Sequence, residues 1–359
     1  MSKVMVGLSG GVDSAVAAAL LVEQGHEVTG GYMKNWMNEE GIPGNCPWQQ
    51  DIEDAHSVAK ALGIEFRVID LIDQYKEKIV EYLVNGYEEG LTPNPDVWCN
   101  REMKFGVFLD YALSQGFEAV GTGHYARRRV MTDGRAAVLR GADPNKDQSY
   151  FLSLMTSRQV EHARFPTGEM LKPEVREVAR RFNLPVAEKK DSQGICFLGQ
   201  VKMGDFLAHY LPDKPGEIVD LNGKVMGEHR GLHFYTIGQR KGHGVASPRE
   251  GMAYVVVGKL VAENRLVIGW DREDTEGLYT RQCTVGSISS INEEIASLKR
   301  VEAQPRYRAK AEIAKLEALD GGKVKLLFGK PLRAVVAGQI MAFYDGGRLL
   351  GGGVVEGVC

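Results

Sequence analysis

The chain has 359 residues, 43% of them hydrophobic and 25% charged, which is ordinary globular material and enough for two or three domains with cores of their own. Its five cysteines, Cys46, Cys99, Cys196, Cys283 and Cys359, are odd in number and form no C-x-x-C pair, which argues against a disulfide scaffold and against a four-cysteine zinc or iron–sulfur site. No amino-terminal stretch has signal-peptide character and the longest apolar run, Ala15 to Val22, is too short to cross a bilayer, so the expectation is a cytoplasmic protein with no membrane partner.

In chain order, Val4 to Leu8 is a short apolar run that suits a buried strand, and Ala15 to Gln24, rich in Ala and Leu and closed by Gly25, suits a helix. Between them Gly7-Leu8-Ser9-Gly10-Gly11-Val12-Asp13-Ser14 must be a strand-to-helix turn. Gly10 and Gly11 open backbone angles closed to other residues and leave no side chain in the way, so successive N–H groups can converge on an anion at the positive end of the helix. Ser9 and Ser14 add hydroxyls, and Asp13 suits a helix cap or a partner for a phosphate-bound metal. SGGVDS at this position resembles the PP-loop of ATP-pyrophosphatases, which split ATP into AMP and pyrophosphate and adenylate a substrate. It differs from the Walker loop, because each Gly-Lys pair of the chain (residues 223–224, 258–259, 322–323 and 329–330) lacks the following Ser or Thr.

Glu27 to Met33 reads as a second strand, Asp51 to Leu62 as a helix, Ile64 to Leu71 as a third strand and Gln74 to Tyr87 as a helix. This alternation predicts an open, doubly wound parallel sheet, with ligands beyond the carboxyl ends of its strands. Thr92-Pro93-Asn94-Pro95-Asp96 is expected to break regular structure before a helix over Lys104 to Ser114 and a strand over Phe117 to Gly121. Gly121 to Ala126 formally matches G-x-G-x-x-A, but three arginines and an Asp133-Gly134 hairpin turn follow where that fingerprint needs a helix. Pro173 to Phe182 reads as a helix and Asp191 to Phe197 as a loop. Beyond Lys202 short strands dominate, with hairpins at Asn222-Gly223 and Glu263-Asn264 and glycine turns at Gly321-Gly322 and Gly346-Gly347. The expected fold class is therefore α/β. A doubly wound amino-terminal domain (residues 1–202) precedes a small β-rich central module (203–280) and a carboxyl-terminal β-barrel (281–359).

The net charge of −3 hides an asymmetry, since residues 1–100 hold sixteen acids and six bases. Residues 127–146 carry six bases against two acids and residues 299–333 ten against four, which fits a polyanionic partner. Cys99 and Cys196 read as members of polar, turn-forming loops rather than buried apolar residues, and Arg101 and Lys104 stand close enough in sequence to stabilise a thiolate at Cys99. Cys46 has a similar loop setting but no adjacent base, Cys283 reads as a strand residue and Cys359 is terminal. His229 and His233 are four apart, but the glycine between them and the hairpin context argue against a metal site, and none is expected.

SGGVDS, Asn94-Pro95-Asp96 with Cys99-Asn100, Thr122-Gly123-His124-Tyr125, Lys146-Asp147-Gln148-Ser149 and Asp191 to Cys196 together resemble the bacterial tRNA-specific 2-thiouridylase family, over nearly the whole chain. The resemblance implies an enzyme that replaces the 2-oxygen of the wobble uridine (tRNA position 34) with sulfur in tRNAs for Glu, Gln and Lys. It implies ATP bound by Gly7, Leu8, Ser9, Gly10, Gly11, Val12, Asp13, Ser14, Met33 and Gly123, with Mg²⁺ screening the phosphates. Cys196 would carry a persulfide received from a sulfur-relay protein or cysteine desulfurase. Cys99 would attack or resolve it, and Asp96 would act as general acid or base. Contacts to tRNA and its target base are implied for Asn94, Pro95, Asp96, His124, Lys146, Asp147, Gln148, Arg306, Tyr307 and Gln339, in a monomer. Two competing readings stand beside it: another PP-loop adenylating enzyme, such as a tRNA-lysidine synthetase or an amidotransferase-type synthetase, which needs no cysteine pair, and a non-catalytic RNA-binding protein on a degenerate nucleotide fold.

Overall fold

The computed structural model describes residues 1–38, 41–43, 48–190, 201–247 and 251–358. Strands β1 (Lys3–Gly7), β2 (Glu27–Lys34), β3 (Glu65–Asp70) and β4 (Ala119–Gly121) alternate with helices α1 (Val12–Glu23), α2 (Trp48–Leu62), α3 (Ile72–Tyr75), α4 (Glu81–Glu88), α5 (Pro95–Cys99) and α6 (Phe108–Ser114). The hairpin β5 (Ala126–Val130) and β6 (Ala136–Arg140), helix α7 (Ser157–His162), strand β7 (Ala163–Arg164) and helix α8 (Lys172–Arg181) complete this half. The sheet runs β3-β2-β1-β4-β7 and is parallel throughout. Such a sheet is buried on both faces, which is why β1 is almost continuously apolar.

Helix α9 (Met203–Tyr210) leads into strands β8 (Gly216–Asp220), β9 (Val225–His229), β10 (Tyr254–Leu260) and β11 (Arg265–Trp270), paired in the order β10-β11-β8-β9. Strands β12 (Tyr279–Ser290), β13 (Arg300–Gln304), β14 (Glu312–Ala318), β15 (Val324–Arg333), β16 (Ile340–Asp345) and β17 (Arg348–Val358) follow. They pair in the order β12-β15-β14-β13-β16-β17, and β12 pairs with β17 as well, so the six strands close into a barrel. Closure removes the free sheet edges that open antiparallel sheets must protect. The sequence expectation of a doubly wound sheet, a central module and a β-barrel holds.

Two local expectations do not. The break expected over Thr92 to Asp96 is shorter than that: residues 91–94 are irregular, but Pro95 opens α5, Asn94 Oδ1 accepts from Val97 N at 3.1 Å, and wider turns over Asn100–Val107 carry the helix on into α6. A proline in the first helical turn loses no hydrogen bond that the helix would have made, and an asparagine ahead of it is a favoured cap. Cys99 consequently lies on a helix and is fully buried, not in a polar loop. The arginine-rich hairpin β5–β6 also joins the barrel, with β6 pairing with β17.

One apolar cluster spans both halves, uniting Met5, Met33, Cys99, Phe105 and Phe108 with Ile340, Ala342, Tyr344 and Leu349 of the barrel. Polar contacts reinforce it. Tyr150 Oη donates to the Ile340 carbonyl at 2.9 Å, Ser149 and Tyr344 hydroxyls meet at 3.1 Å, and Thr92 N donates to the Ala337 carbonyl at 2.9 Å. On the central module, Lys259 Nζ donates to the Gly90 carbonyl just past α4, and burial pushes its pKa down to about 8. Phe108 packs over Gly7 and Gly31, where added Cβ atoms would meet its ring at 3.7 and 2.9 Å. Phe108→Ala is expected to remove about 3–5 kcal/mol of stability, measured as a shifted urea midpoint. Because the core is shared, fluorescence from barrel and sheet should shift together.

Candidate active site

The turn at the end of β1 is closed by its own hydroxyls. Ser14 Oγ donates to the Gly11 carbonyl at 3.0 Å, accepts from Ser9 N at 3.2 Å and lies 3.2 Å from Ser9 Oγ. Leu8 and Val12 are buried and so contribute backbone alone, while Ser9 is exposed. Gly10 has φ +73°, and a Cβ there would stand 2.7 Å from the Asp51 carbonyl oxygen. The first turn of α2 therefore lies directly on this glycine, held by Lys189 Nζ, which pairs with Asp51 at 2.9 Å and Asp54 at 2.7 Å. A glycine turn at the start of a twelve-residue helix can hold an anion.

Asp13 does not cap the helix. Its Oδ1 accepts from Tyr125 Oη and from Lys172 Nζ, each at 2.7 Å. Hydrogen bonds to a charged group are worth about 1.5–3 kcal/mol, so this pair of contacts ties α1 to the segment after β4 and to the first turn of α8. Neither Tyr125 nor Lys172 stands out in the sequence as a site residue. Tyr125 belongs to the Thr122–Tyr125 motif, which was the available signal, but Lys172 lies 159 positions from its partner.

Gly123 makes the third wall. A Cβ there would fall 2.5 Å from the Asp13 carbonyl carbon and 2.6 Å from Ser14 N, so the backbone approach excludes any side chain. Met33 is buried, with its methyl 3.2 Å from where a Gly7 Cβ would be. His124 does not face solvent. Its ring lies 6.0 Å from both Phe105 and Phe165, Nδ1 meets Thr122 Oγ1 at 2.8 Å, and burial, with Lys104 nearby, holds its pKa well below the ordinary histidine value. It is a neutral imidazole behind the loop. Gln148 is likewise engaged internally, its Oε1 accepting from Tyr125 N at 3.0 Å. Asp147 accepts from Gly141 N, Ser149 N and Arg140 Nη1, and Lys146 is half-buried in the same loop.

The helix that carries Cys99 runs from residue 95 to 114 and feeds β4, so its first turns lie at the carboxyl end of the sheet, where residues 9–14 also lie. Cys99 packs in the cluster that holds Met33 and Phe105. Asp96 is half-buried in the first turn. Arg101 does not serve the thiol: two positions along a helix put it on the other side, where it covers Trp98 at 5.2 Å and pairs with Glu102 at 3.2 Å. Cys196, with the rest of Asp191 to Gln200, lies outside the described residues, as do Cys46 and Cys359. Cys283 is buried in β12.

Three stretches far apart in sequence meet beside α5. Asn94 N donates to Tyr82 Oη at 3.3 Å, Asn100 Nδ2 donates to the Phe151 carbonyl at 3.2 Å, and Tyr307 packs on Phe151 with ring centroids 4.5 Å apart. Trp98 stacks on Tyr82 at 4.7 Å, and burial pushes the Tyr82 pKa up to about 12. Gln339 is half-buried next to Gly338, whose Cα side approaches Thr92. Arg306 and Lys310 are exposed here, and Arg308 lies over Tyr307 at 5.3 Å. The other basic stretch is largely neutralised: Arg127 and Arg129 pair with Glu169, Arg135 with Asp133 and Arg140 with Asp147. The cationic surface expected of both stretches is thus concentrated on the barrel side.

An open parallel sheet with a phosphate-type turn at its first strand, followed by two β modules, defines a HUP-domain protein with appended barrels. Family models described as a tRNA methyl transferase HUP domain, a tRNA methyl transferase PRC-barrel domain and an aminomethyltransferase β-barrel domain match residues 2–200, 204–270 and 280–355. A protein of Akkermansia muciniphila named tRNA-specific 2-thiouridylase MnmA is 66% identical over 358 residues, covering 100% of this chain and 99% of its own length. Another of that name, from Pseudomonas syringae pv. syringae, is 44% identical over 360 residues, covering 99% of this chain and 94% of its own. The chain belongs to the tRNA-specific 2-thiouridylase family.

Two outcomes test the site's construction. Gly123→Ala should push residues 13 and 14 aside and cost about 1–3 kcal/mol, with faster amide exchange confined to the start of α1. His124 is neutral when folded and charges only on unfolding, so its contribution is complete above about pH 6.5 and is lost as the pH falls below that, at up to about 1.4 kcal/mol per pH unit. His124→Gln should flatten the acid limb of the stability–pH curve, read by urea midpoints between pH 7 and pH 5.

Proposed function

We propose that this chain adenylates the 2-oxygen of the wobble uridine in tRNAs for Glu, Gln and Lys with ATP, and then replaces that oxygen with sulfur from a cysteine persulfide. The observation that carries the reading is that a phosphate-type turn and a buried cysteine share one end of one sheet: residues 9–14 close the end of β1, and Cys99 packs in the same cluster as Met33. The domains divide the work, with residues 1–202 holding the chemistry, residues 203–280 a spacer module, and residues 281–359 the barrel that grips tRNA through Arg306, Tyr307 and Gln339.

A uracil carbonyl is a poor electrophile with a poor leaving group. Its oxygen attacks the α-phosphate of ATP, pyrophosphate leaves, and the 2-position becomes an activated adenylate. Amides of Gly10 and Gly11 and the hydroxyl of Ser9 hold the phosphates, with the Ser14 hydroxyl bracing the turn through the Gly11 carbonyl, while Lys172, fixed against Asp13 at 2.7 Å, adds positive charge at the edge of the turn. Mg²⁺ bound with ATP would screen the charge of its phosphates. Among the described residues, Asp13 is engaged by Tyr125 and Lys172, and no cluster of three or more metal-ligating side chains is present.

Sulfur arrives on Cys196 from a sulfur-relay protein or cysteine desulfurase. The residues flanking Cys196 support its presence at the site. Lys189 is pinned to Asp51, which lies on Gly10, and Val201 belongs to the core cluster of Cys99. The outer sulfur of the Cys196 persulfide attacks the activated carbon and expels AMP, leaving Cys196 joined to the base through that sulfur. The Cys99 thiolate then attacks Cys196 Sγ, breaks its bond to the transferred sulfur, releases the thiolated base and forms a transient Cys99–Cys196 disulfide, which an external dithiol reductant reopens. Asp96, one helical turn before Cys99, moves the proton. The enzyme works in the cytoplasm as a monomer.

The test is a single-turnover assay with ATP and unmodified tRNA. Wild type should yield AMP and pyrophosphate, and Asp13→Ala should lower both at least roughly a hundredfold, a typical loss for phosphate positioning. Cys196→Ser should stop thiolation and spare adenylation. Cys99→Ser should let a persulfide accumulate on Cys196 without turnover. Formation of ADP and phosphate, or full thiolation by Cys99→Ser, overturns the mechanism.

A further inference from the structure

The ladder between β1 and β2 ends at Gly7 and Gly31, with Leu8 N donating to the Gly31 carbonyl, whereas β2 stays paired with β3 as far as Lys34 and Asp70. Residues 32–35 therefore overhang the Ser9–Ser14 turn. Asn35 stands just past the strand end, about 13 Å beyond Gly31 at the usual rise per residue. It is 2% exposed, yet neither Oδ1 nor Nδ2 has a hydrogen-bond partner among the described residues. The next residue, Trp36, also has an unpartnered Nε1, but its ring has a packing role between Tyr75 and Phe206, at 6.5 and 6.2 Å. Asn35 has none. An amide adds little to an apolar core, and burying one unpaired destabilises the free protein.

Such a group makes sense if a ligand completes it. An asparagine amide sets an acceptor beside donors in one plane, the complement of a nucleobase edge that carries a donor next to an acceptor. Adenine and uracil both have such an edge. We propose that the Asn35 amide pairs with the edge of a nucleobase held over the end of β2 and so selects it. This rests on the reading of the site as one for ATP and a uridine, and those two molecules are the two sources of the edge.

The test compares Asn35→Leu and Asn35→Asp with wild type in the full-length protein. Leucine keeps the branched shape, at a somewhat larger volume, and removes the unpaired atoms, so ligand-free Asn35→Leu should melt no lower than wild type. Aspartate keeps the shape and removes the donors. One arm measures affinity for a non-hydrolysable ATP analogue by equilibrium dialysis. The other compares unmodified tRNA with the same tRNA carrying cytidine at position 34. Loss of a two-point base contact weakens binding by roughly 5- to 150-fold. A loss of that size in the ATP arm for both variants assigns Asn35 to adenine, and collapse of the uridine-over-cytidine preference assigns it to the target base. Unchanged binding in both arms overturns the proposal, as does a lower melting temperature for ligand-free Asn35→Leu, which would mean that the amide is already satisfied. AMP release by the wild type in the same preparation separates failure of Asn35 from failure of the underlying reading.

Discussion

Close approach of three backbones at residues 9–14 is the constraint on which the structure depends. Asp51 lies on Gly10 from one side and Gly123 lies on Asp13 and Ser14 from the other, each at a separation that no Cβ tolerates. Packing this tight fixes α2, α1 and the segment after β4 relative to one another, and Lys189 and Lys172 lock the outer ends by ion pairs to Asp51 and Asp13. Interiors packed to crystal density transmit such constraints over long distances. The helix that bears Cys99 inherits its place from them, since it packs through Phe108 onto Gly7 and Gly31.

The barrel is not an appendage on a linker. It shares the cluster that contains Cys99, accepts a hydrogen bond from Tyr150 through Ile340 and takes the β5–β6 hairpin onto its β17 edge. A surface that recognises a folded nucleic acid needs fixed spacing between its phosphate contacts and the reacting group. Here Tyr307 packs on Phe151, and Phe151 is hydrogen-bonded to the Cys99 helix through Asn100, so a handful of contacts span the distance from barrel to thiol.

Much of this was legible in the residues. A β-branched run, two glycines and an Ala-rich run can only be a strand, a turn and a helix, and the change beyond Lys202 to short strands with glycine turns announces β modules. What stayed hidden required partners distant in the chain. The arginines of β5 look like a cationic patch until Glu169 is placed beside Arg127 and Arg129. Two prolines around Asn94 look like a break, although the second is a helix start. Asn35 carries no local signal at all, because an unsatisfied amide is a property of its surroundings.

Burial of Cys99 inside a helix has a consequence for the proposed chemistry. A thiol in a turn-forming loop, as the sequence alone led one to expect, would be open to oxidants and to stray disulfides at all times. Cys99 is at 0% exposure, in the apolar cluster that also holds Phe105 and Phe165. Its backbone is also fixed at both ends, by the Asn94 cap on one side and by the Asn100 contact to Phe151 on the other. A rigid, shielded thiol reacts with what is delivered to it rather than with what diffuses past. That suits the proposed reaction, in which Cys99 acts only on the sulfur of Cys196 once a base swung out of an anticodon has been activated in place, because the resolving step then waits on assembly of the whole site and not on the thiol's own exposure.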